Sequence, residues 1–369
     1  MEREHPFERS YPALVNWGWD REWGALLRAD ESHLLPGRVV RQVHHHYELV
    51  VAPEAARRST EVSGAFAYRA AGPADYPTVG DWVLVEPDNG RIHQVLERRG
   101  AVSRNVAGGE TAEQVIAANI DALFLVFGLD GGRNFTVGML ERAAVVAWNS
   151  GAQPVVVLNK ADCADEDSVR SVCREAEVLA PGVPVHAVSA VRGDGLDELL
   201  IHAGPGKTIG MLGKSGVGKS ALLNAFARRA GLTEPAREGA QRSGDLQGRH
   251  TTTHKELYLI PDGPLVADVP GLRELQLWGD EEDLDAAFPE IEEFAAECRF
   301  SDCRHNGEPG CRVQEALATG ELPHERYARY LDMQKELAYL RRRTDARAEA
   351  EEHRKWKRIA MEMRRYKGR

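Results

Sequence analysis

No apolar run in the chain approaches the ~18 residues needed to span a bilayer. The first residues, Met1-Glu2-Arg3-Glu4-His5-Pro6, carry no apolar secretion core. The expectation is a cytoplasmic protein with no membrane partner. Cysteines are few, five in 369 residues, and aromatics make up only 7%. Without an export signal, an odd and unevenly spread cysteine set argues against a disulfide framework. Cys298, Cys303 and Cys311 crowd into one short stretch, which favours metal, whereas Cys163 and Cys173 are scattered and read as buried or inert thiols. Excess positive charge is also missing. The 47 Lys/Arg face 57 Asp/Glu, a net of −10, which argues against nonspecific nucleic-acid binding over the whole surface. What is present is an ordinary globular balance, 43% hydrophobic and 28% charged, in a chain long enough for two or three domains. The charge is unevenly placed. Gln334 to Arg369 holds 13 Lys/Arg and 6 Asp/Glu, net +7, which leaves −17 for the remainder. An acidic body with a basic tail suggests a polyanionic partner.

Residues 1–34 form a leader whose Trp17, Trp19 and Trp23 fit a helix packed on the body. From Gly37 the pattern shifts to short strands, at Arg38–Val40, Tyr47–Val51, Ala65–Tyr68, Asp81–Val85 and Gly90–Leu96. Five such strands with turn punctuation predict a small β-barrel. His44, His45 and His46 are adjacent, so on a strand they alternate between faces and cannot converge on one ion. Glu97–Thr111 reads as a linker. Beyond Asn119, continuous apolar runs appear at Ala122–Phe127, Pro154–Leu158, Val183–Val188 and Thr208–Leu212. Strands buried on both faces belong to parallel sheets. Helical patterns over Val137–Trp148 and Ser168–Ala180 separate them, so a doubly wound α/β domain is expected. Tyr327–Met363 reads as one or two long exposed helices.

Two nucleotide-binding signatures stand in reversed order. Gly213-Lys214-Ser215-Gly216-Val217-Gly218-Lys219-Ser220 is a full phosphate loop, preceded by a strand and followed by a helix opening at Ala221, whose Leu222, Leu223 and Phe226 would face the core. Its glycines let backbone N–H groups curl around phosphate oxygens, Lys219 can reach the β- and γ-phosphates, and Ser220 can ligate Mg²⁺. Upstream, Asn159-Lys160-Ala161-Asp162 ends an apolar strand, where such sheets bind ligands. A carboxylate at Asp162 can accept both N–H bonds of the guanine edge, whereas adenine would leave polar groups unsatisfied. Ser189-Ala190 follows the next strand and suits a backbone contact to guanine. Downstream, Gly248-Arg249-His250-Thr251-Thr252-Thr253 resembles a switch whose threonine, taken here as Thr252, completes the Mg²⁺ shell. Asp268-Val269-Pro270-Gly271 follows, with Asp268 placed to hold Mg²⁺ through water and Gly271 to sense the γ-phosphate. The run Pro261-Asp262-Gly263-Pro264 predicts a hairpin between Lys255–Ile260 and Leu265–Val269. Cutting a GTPase after its Asp-x-x-Gly half and joining the old ends produces this cyclic order. Leu272 stands where a water-orienting Gln is usual, so His250 is the candidate for that role beside catalytic Lys219.

Cys298-x4-Cys303-x-His305-x5-Cys311 supplies three thiolates and one imidazole, the donor set of a closed, structural Zn²⁺ site. The basic tail, including Arg341, Arg342, Arg343, Lys355 and Lys357, reads equally as an RNA-phosphate contact or as a solvated helix with internal ion pairs.

Together these residues resemble the ribosome small-subunit-dependent GTPase A family, circularly permuted GTPases of bacterial ribosome biogenesis. The resemblance covers the barrel, the permuted domain and the zinc segment. It implies an N-terminal OB-fold (1–110 with the leader), a circularly permuted P-loop GTPase domain of α/β class (111–275) and a zinc-binding helical domain with a basic helix (276–369). It implies GTP and GDP as ligands, the 30S ribosomal subunit and 16S rRNA as partners, one Zn²⁺, Mg²⁺ with GTP, and hydrolysis stimulated by the small subunit during its late maturation. Leu272 agrees with the family's apolar replacement, and His250 occupies the position the family uses for catalysis. The leader and the basic helix look like extensions. A monomer is expected. The rival readings are a large-subunit assembly factor, an RNA-binding module that uses GTP as a switch, and an ATPase.

Overall fold

The computed structural model describes residues 11–105, 113–131, 135–232, 254–269 and 281–342. The chain divides into two compact units, Met1–Ser103 with Val115–Gln276 and Arg104–Gln114 with Leu277–Arg369.

In the first unit the described part of the leader makes three short helical turns, 3-10 helices at Pro12–Trp17 and Ala29–Glu31 and, between them, helix α1 (Arg21–Ala25). The Asp20 carboxylate accepts from the Trp23 amide at 3.0 Å and caps α1. All three leader tryptophans are buried, and Trp19 sits edge-on to Trp82 at 4.8 Å.

The barrel consists of β1 (Leu35–Val43), β2 (His46–Val51), β3 (Ala56–Thr60), β4 (Trp82–Val85) and β5 (Ile92–Val95). β1 pairs with β2 and β4, β2 with β3, and β4 with β5. The chain leaving β3 closes the ring: the Ile92 amide donates to the Glu61 carbonyl (3.0 Å), and the Ser63 amide donates to the Ile92 carbonyl (2.8 Å). Two details differ from the sequence expectation. Ala65–Tyr68 lies in a helix, α2 (Gly64–Arg69), because the Ser63 hydroxyl caps the Phe66 amide at 3.1 Å. The strand that takes its place is β3, whose Ala-Arg-Arg-Ser-Thr sequence is polar because it lies largely exposed. His44 is exposed in the β1–β2 turn in the left-handed region (φ 56°), and His45 and His46 are exposed beside it.

The expected linker contains a strand. β6 (Ala101–Asn105) pairs with β7 (Glu113–Ala118) as a separate ribbon.

The long apolar runs become β8 (Ala122–Gly128), β9 (Gln153–Asn159), β10 (Val185–Ala187) and β11 (Thr208–Leu212), followed by the hairpin β12 (His254–Leu259) and β13 (Leu265–Asp268). Their order is β10-β9-β8-β11-β13-β12, parallel except for β12. Every residue of β8 and β11 is buried, as the unbroken hydrophobicity demands. Helices α3 (Val137–Asn149), α4 (Glu166–Leu179), α5 (Leu196–Leu200) and α6 (Lys219–Arg229) cover the sheet. At 11 residues α6 is too short to persist alone. Leu222, Leu223 and Phe226 are buried in the core, each contributing about 1.5–3 kcal/mol. The ladder continues from β12 into the barrel, with Arg41 of β1 opposite Glu256.

The second unit holds α7 (Glu281–Ala287), α8 (Pro289–Ala296), α9 (Arg312–Thr319) and a helix over 324–342. That last helix is amphipathic, not exposed all round: Tyr327, Tyr330, Met333 and Leu337 are buried at three- and four-residue spacing. The rest of the predicted tail lies outside the described residues.

Candidate nucleotide site and metal cluster

The strands carrying the signatures run parallel, so their carboxyl ends share one edge of the sheet. Gly213 follows β11 in the centre, Asn159 ends β9, Ser189 follows β10, and Asp268 ends β13. Ligands bind such sheets at this edge.

Asn159 joins the two reversed signatures. It is buried; its Nδ2 donates to the Val217 carbonyl at 2.9 Å, and its Oδ1 accepts from the Ala190 amide at 3.1 Å. One side chain thus fixes the phosphate loop against both guanine-motif segments. Gly218 makes room for it. With φ +101°, Gly218 is in the left-handed region, and a Cβ there would lie 2.2 Å from Asn159 Nδ2. Gly218→Ala is therefore expected to displace the Asn159 amide and weaken GTP binding by about tenfold or more, the loss of one or two buried hydrogen bonds. Equilibrium titration with a fluorescent GTP analogue checks this.

Asp162 closes the motif and is half-buried. Its Oδ1 accepts from the Ser189 hydroxyl at 2.6 Å, a bond that holds the carboxyl below its ordinary range and ionised at neutral pH. Ser189 is itself fully buried and also receives the Arg192 amide at 3.1 Å. Lys160 adopts a left-handed conformation (φ 65°) and reaches the carboxylate of Asp130. The Arg228 guanidinium donates to the Ala190 carbonyl at 3.2 Å, tying α6 to the Ser-Ala turn. No local sequence signal marks Asp130 or Arg228; only the crossing of distant segments reveals them.

In the phosphate loop, Lys214, Ser215 and Gly216 are exposed, and Val217 is buried as the anchor. Lys219 Nζ donates to the carbonyl oxygens of Gly213 and Lys214, the latter at 2.9 Å, so its ammonium is held at the loop. α6 begins at Lys219 with Gly218 as its cap residue, which places Ser220 and Ala221 in its first turn with free backbone amides for an anion. Ser220 is exposed there and Asp268 half-buried at the neighbouring strand end. Two hard oxygen donors at that edge suit Mg²⁺. His250, Thr252, Gly271 and Leu272 lie outside the described residues.

The second unit gathers the predicted metal ligands. The four donor atoms of Cys298, Cys303, His305 and Cys311 lie within 4.8 Å of one another. His305 Nδ1 is 3.4 Å from Cys311 Sγ and 3.6 Å from Cys298 Sγ, and the latter two sulfurs are 3.9 Å apart. A tetrahedral ion with bonds of about 2.3 Å to sulfur and 2.0–2.1 Å to nitrogen needs donor–donor edges of roughly 3.5–3.8 Å. The cluster fits. Burial lowers the affinity of the His305 imidazole for a second proton, keeping it neutral as a ligand must be. Gln314 Nε2 donates to the His305 carbonyl at 2.6 Å, and Cys311 caps α9, so the helix positions two of the four ligands.

A parallel sheet whose central phosphate-loop strand comes late in the chain, with the guanine motif two strands away but earlier in sequence, defines a circularly permuted P-loop GTPase. The sequence family described as RsgA GTPase matches residues 95–278. The chain is 41% identical over 361 residues to the small ribosomal subunit biogenesis GTPase RsgA of Opitutus terrae, spanning 94% of this chain and 95% of that protein. It is 40% identical over 360 residues to the protein of that name from Streptomyces avermitilis, spanning 96% and 94%. Among solved structures it is similar to YjeQ from Thermotoga maritima, with a TM-score of 0.61 and 30% identity over 83% of this chain and 99% of that one. It is also similar to YloQ, a circularly permuted GTPase, with a TM-score of 0.58 and 26% identity over 85% and 98%. The chain belongs to the RsgA GTPase family and is a GTP-hydrolysing enzyme. Among the described residues no helix is long and apolar enough to cross a membrane.

Proposed function

We propose that this protein binds GTP–Mg²⁺ between Asp162 and the phosphate loop, docks on the 30S ribosomal subunit during its late maturation, and is released on hydrolysis to GDP. Asn159, Asp162, Ser189 and Ala190 hold guanine, with Lys160 alongside. The Gly213–Ala221 segment and Lys219 cradle the phosphates, Ser220 and Thr252 ligate Mg²⁺, and Asp268 and Gly271 sense the γ-phosphate. His250 orients the attacking water in place of the usual Gln. The ion, when bound, neutralises charge developing on the phosphates.

The reading keeps three parts: residues 1–110 as leader and OB-fold, 111–275 as the GTPase, 276–369 as the zinc-binding part with its basic helix. The closed ring β1-β2-β3-β5-β4 supports the OB-fold assignment, since that fold is a five-stranded barrel that binds oligonucleotides. In this reading the barrel and the zinc-binding part contact 16S rRNA, the protein is a cytoplasmic monomer, and a structural Zn²⁺ staples the second unit. Removing that ion with a strong chelator is expected to lower the unit's melting transition markedly, because its binding energy is folding energy. Metal analysis should return one zinc per chain, and Cys303→Ser should lose it.

One observation carries the nucleotide reading: the Asn159 amide bridging Val217 and Ala190. The decisive experiment is phosphate release from GTP and from ATP, with and without purified 30S particles. Release from GTP alone, accelerated by 30S and not by 50S particles, supports the assignment. Equal turnover of ATP, or acceleration by 50S particles, overturns it.

A further inference from the structure

The antiparallel register sets three charged residues in one row across the sheet. Arg41 of β1 lies opposite Glu256 of β12, and Glu256 lies opposite Asp268 at the end of β13. Directly opposed residues share a face, and their Cβ atoms stand about 4.5–5.5 Å apart. Arg41 is therefore two strand spacings, roughly 10 Å, from Asp268.

The neighbours identify the face. Side chains alternate along a strand, so Asp268 shares the face of Val266, and Glu256 that of Tyr258. Val266 is buried in the core with Leu222 and Phe226 of α6, and Tyr258 and Ala221 both pack against that core. The row thus lies on the side of the sheet that α6 covers, and Asp268 ends it at the edge where the phosphate loop enters α6. Lys255, the preceding residue of β12, points the other way, and its Nζ donates to Thr78 Oγ1 at 2.8 Å.

Tyr258 senses all three charges. Its hydroxyl donates to Glu256 Oε2 at 3.1 Å. Burial, the Glu256 charge, that hydrogen bond and Asp268 push its pKa up, and Arg41 opposes them. The phenol therefore stays a neutral donor to the Glu256 carboxylate. Arg41, Glu256, Tyr258 and Asp268 are all half-buried, and partly buried charges are screened less by salt than exposed ones. A divalent cation beside Asp268 would feel Glu256 as a second, more distant attraction and Arg41 as a repulsion.

We infer that Glu256 is a second determinant of Mg²⁺ affinity that never touches the ion, and that Arg41 of the barrel opposes it. The inference rests on the reading that Asp268 holds Mg²⁺ through water. Charge acts through space, so Glu256 needs no exposed surface at the ion. At about 8 Å, a unit charge facing a divalent one changes affinity roughly fivefold even at the dielectric of water. Arg41, one strand further away, changes it about twofold after screening. The ladder between β12 and β1 thereby gains a role: a barrel strand contributes to the field at the metal site.

The test uses the full chain and a fluorescent, nonhydrolysable GTP analogue, whose binding is followed across a Mg²⁺ titration and again in EDTA. Glu256→Gln is expected to raise the half-saturating Mg²⁺ concentration about fivefold, and Arg41→Gln to lower it about twofold. Glu256→Asp, which keeps the charge, should stay near the wild-type value. Affinity in EDTA should be the same for all three. Damage to the sheet would instead move both charge-removing variants in one direction and weaken binding in EDTA. If Glu256→Gln does not fold, the sign of the Arg41→Gln shift decides. Shifts of equal sign, or no shift in the folded variants, overturn the inference. Asp268→Asn separates this outcome from failure of the metal reading. If it raises the half-saturating concentration while the Glu256 and Arg41 variants match the wild type, the inference alone fails. If Asp268→Asn changes nothing, the assignment of Asp268 to Mg²⁺ falls, and the inference with it.

Discussion

Lys219→Ala is expected to abolish phosphate release, with and without ribosomal particles. The Lys219 ammonium is held at the loop by the Gly213 and Lys214 carbonyls, and in the proposed reading it meets the charge building on the transferred phosphoryl group. Removing one preorganised electrostatic contact costs on the order of 10²–10³ in rate. The folded scaffold should survive, because Lys219 is half-buried in the first turn of α6 and the core contacts of that helix come from Leu222, Leu223 and Phe226. Single-turnover phosphate release, alongside an unchanged melting temperature, is the measurement. Undiminished release by the variant would remove the hydrolase assignment from this loop.

Asp162→Asn is expected to invert base preference. In the proposed reading guanine presents two N–H donors to the Asp162 carboxylate, which accepts from the Ser189 hydroxyl. Asparagine replaces one acceptor with an NH₂ donor, which would face a donor on guanine and leave both unsatisfied. Two charge-assisted hydrogen bonds at about 1.5 kcal/mol each correspond to roughly a 100-fold loss of GTP affinity. Xanthine nucleotides carry a carbonyl where guanine carries its amino group, so XTP should bind the variant better than GTP does. Competition binding with GTP, XTP and ATP reads this out. An unchanged GTP preference would show that Asp162 does not touch the base, and the guanine site would have to be sought elsewhere.

Much of this architecture was legible along the chain. The strand Thr208–Leu212 has the bounds expected from its apolar run, because a central parallel strand is buried on both faces and must be continuously hydrophobic. The hairpin around Pro261-Asp262-Gly263-Pro264 announced itself through turn chemistry. The cysteine and histidine spacing foretold a cluster whose donor atoms do converge. Edge elements were harder. β3 is polar and mostly exposed, so neither periodicity nor hydrophobicity marks it. Ala65–Tyr68 has strand-like composition, yet a serine cap one residue ahead of α2 turns it into a helix. The helix over 324–342 hides an apolar stripe among abundant charges, which composition averages away.

What could be read along the chain was a set of short patterns: the glycine-rich loop Gly213–Ser220, the Asn159–Asp162 run ahead of it in permuted order, and three cysteines with one histidine whose donor atoms converge. Each is a short stretch whose residue types and spacing can be recognised without knowing the fold. Tertiary structure alone decided how those stretches meet. The bond from Asn159 to Val217 spans 58 residues, and the burial of Arg38 among segments from the leader to Thr208 spans far more. Such contacts depend on where the folded sheet brings distant strands, and no local pattern encodes a partner that lies elsewhere in the chain.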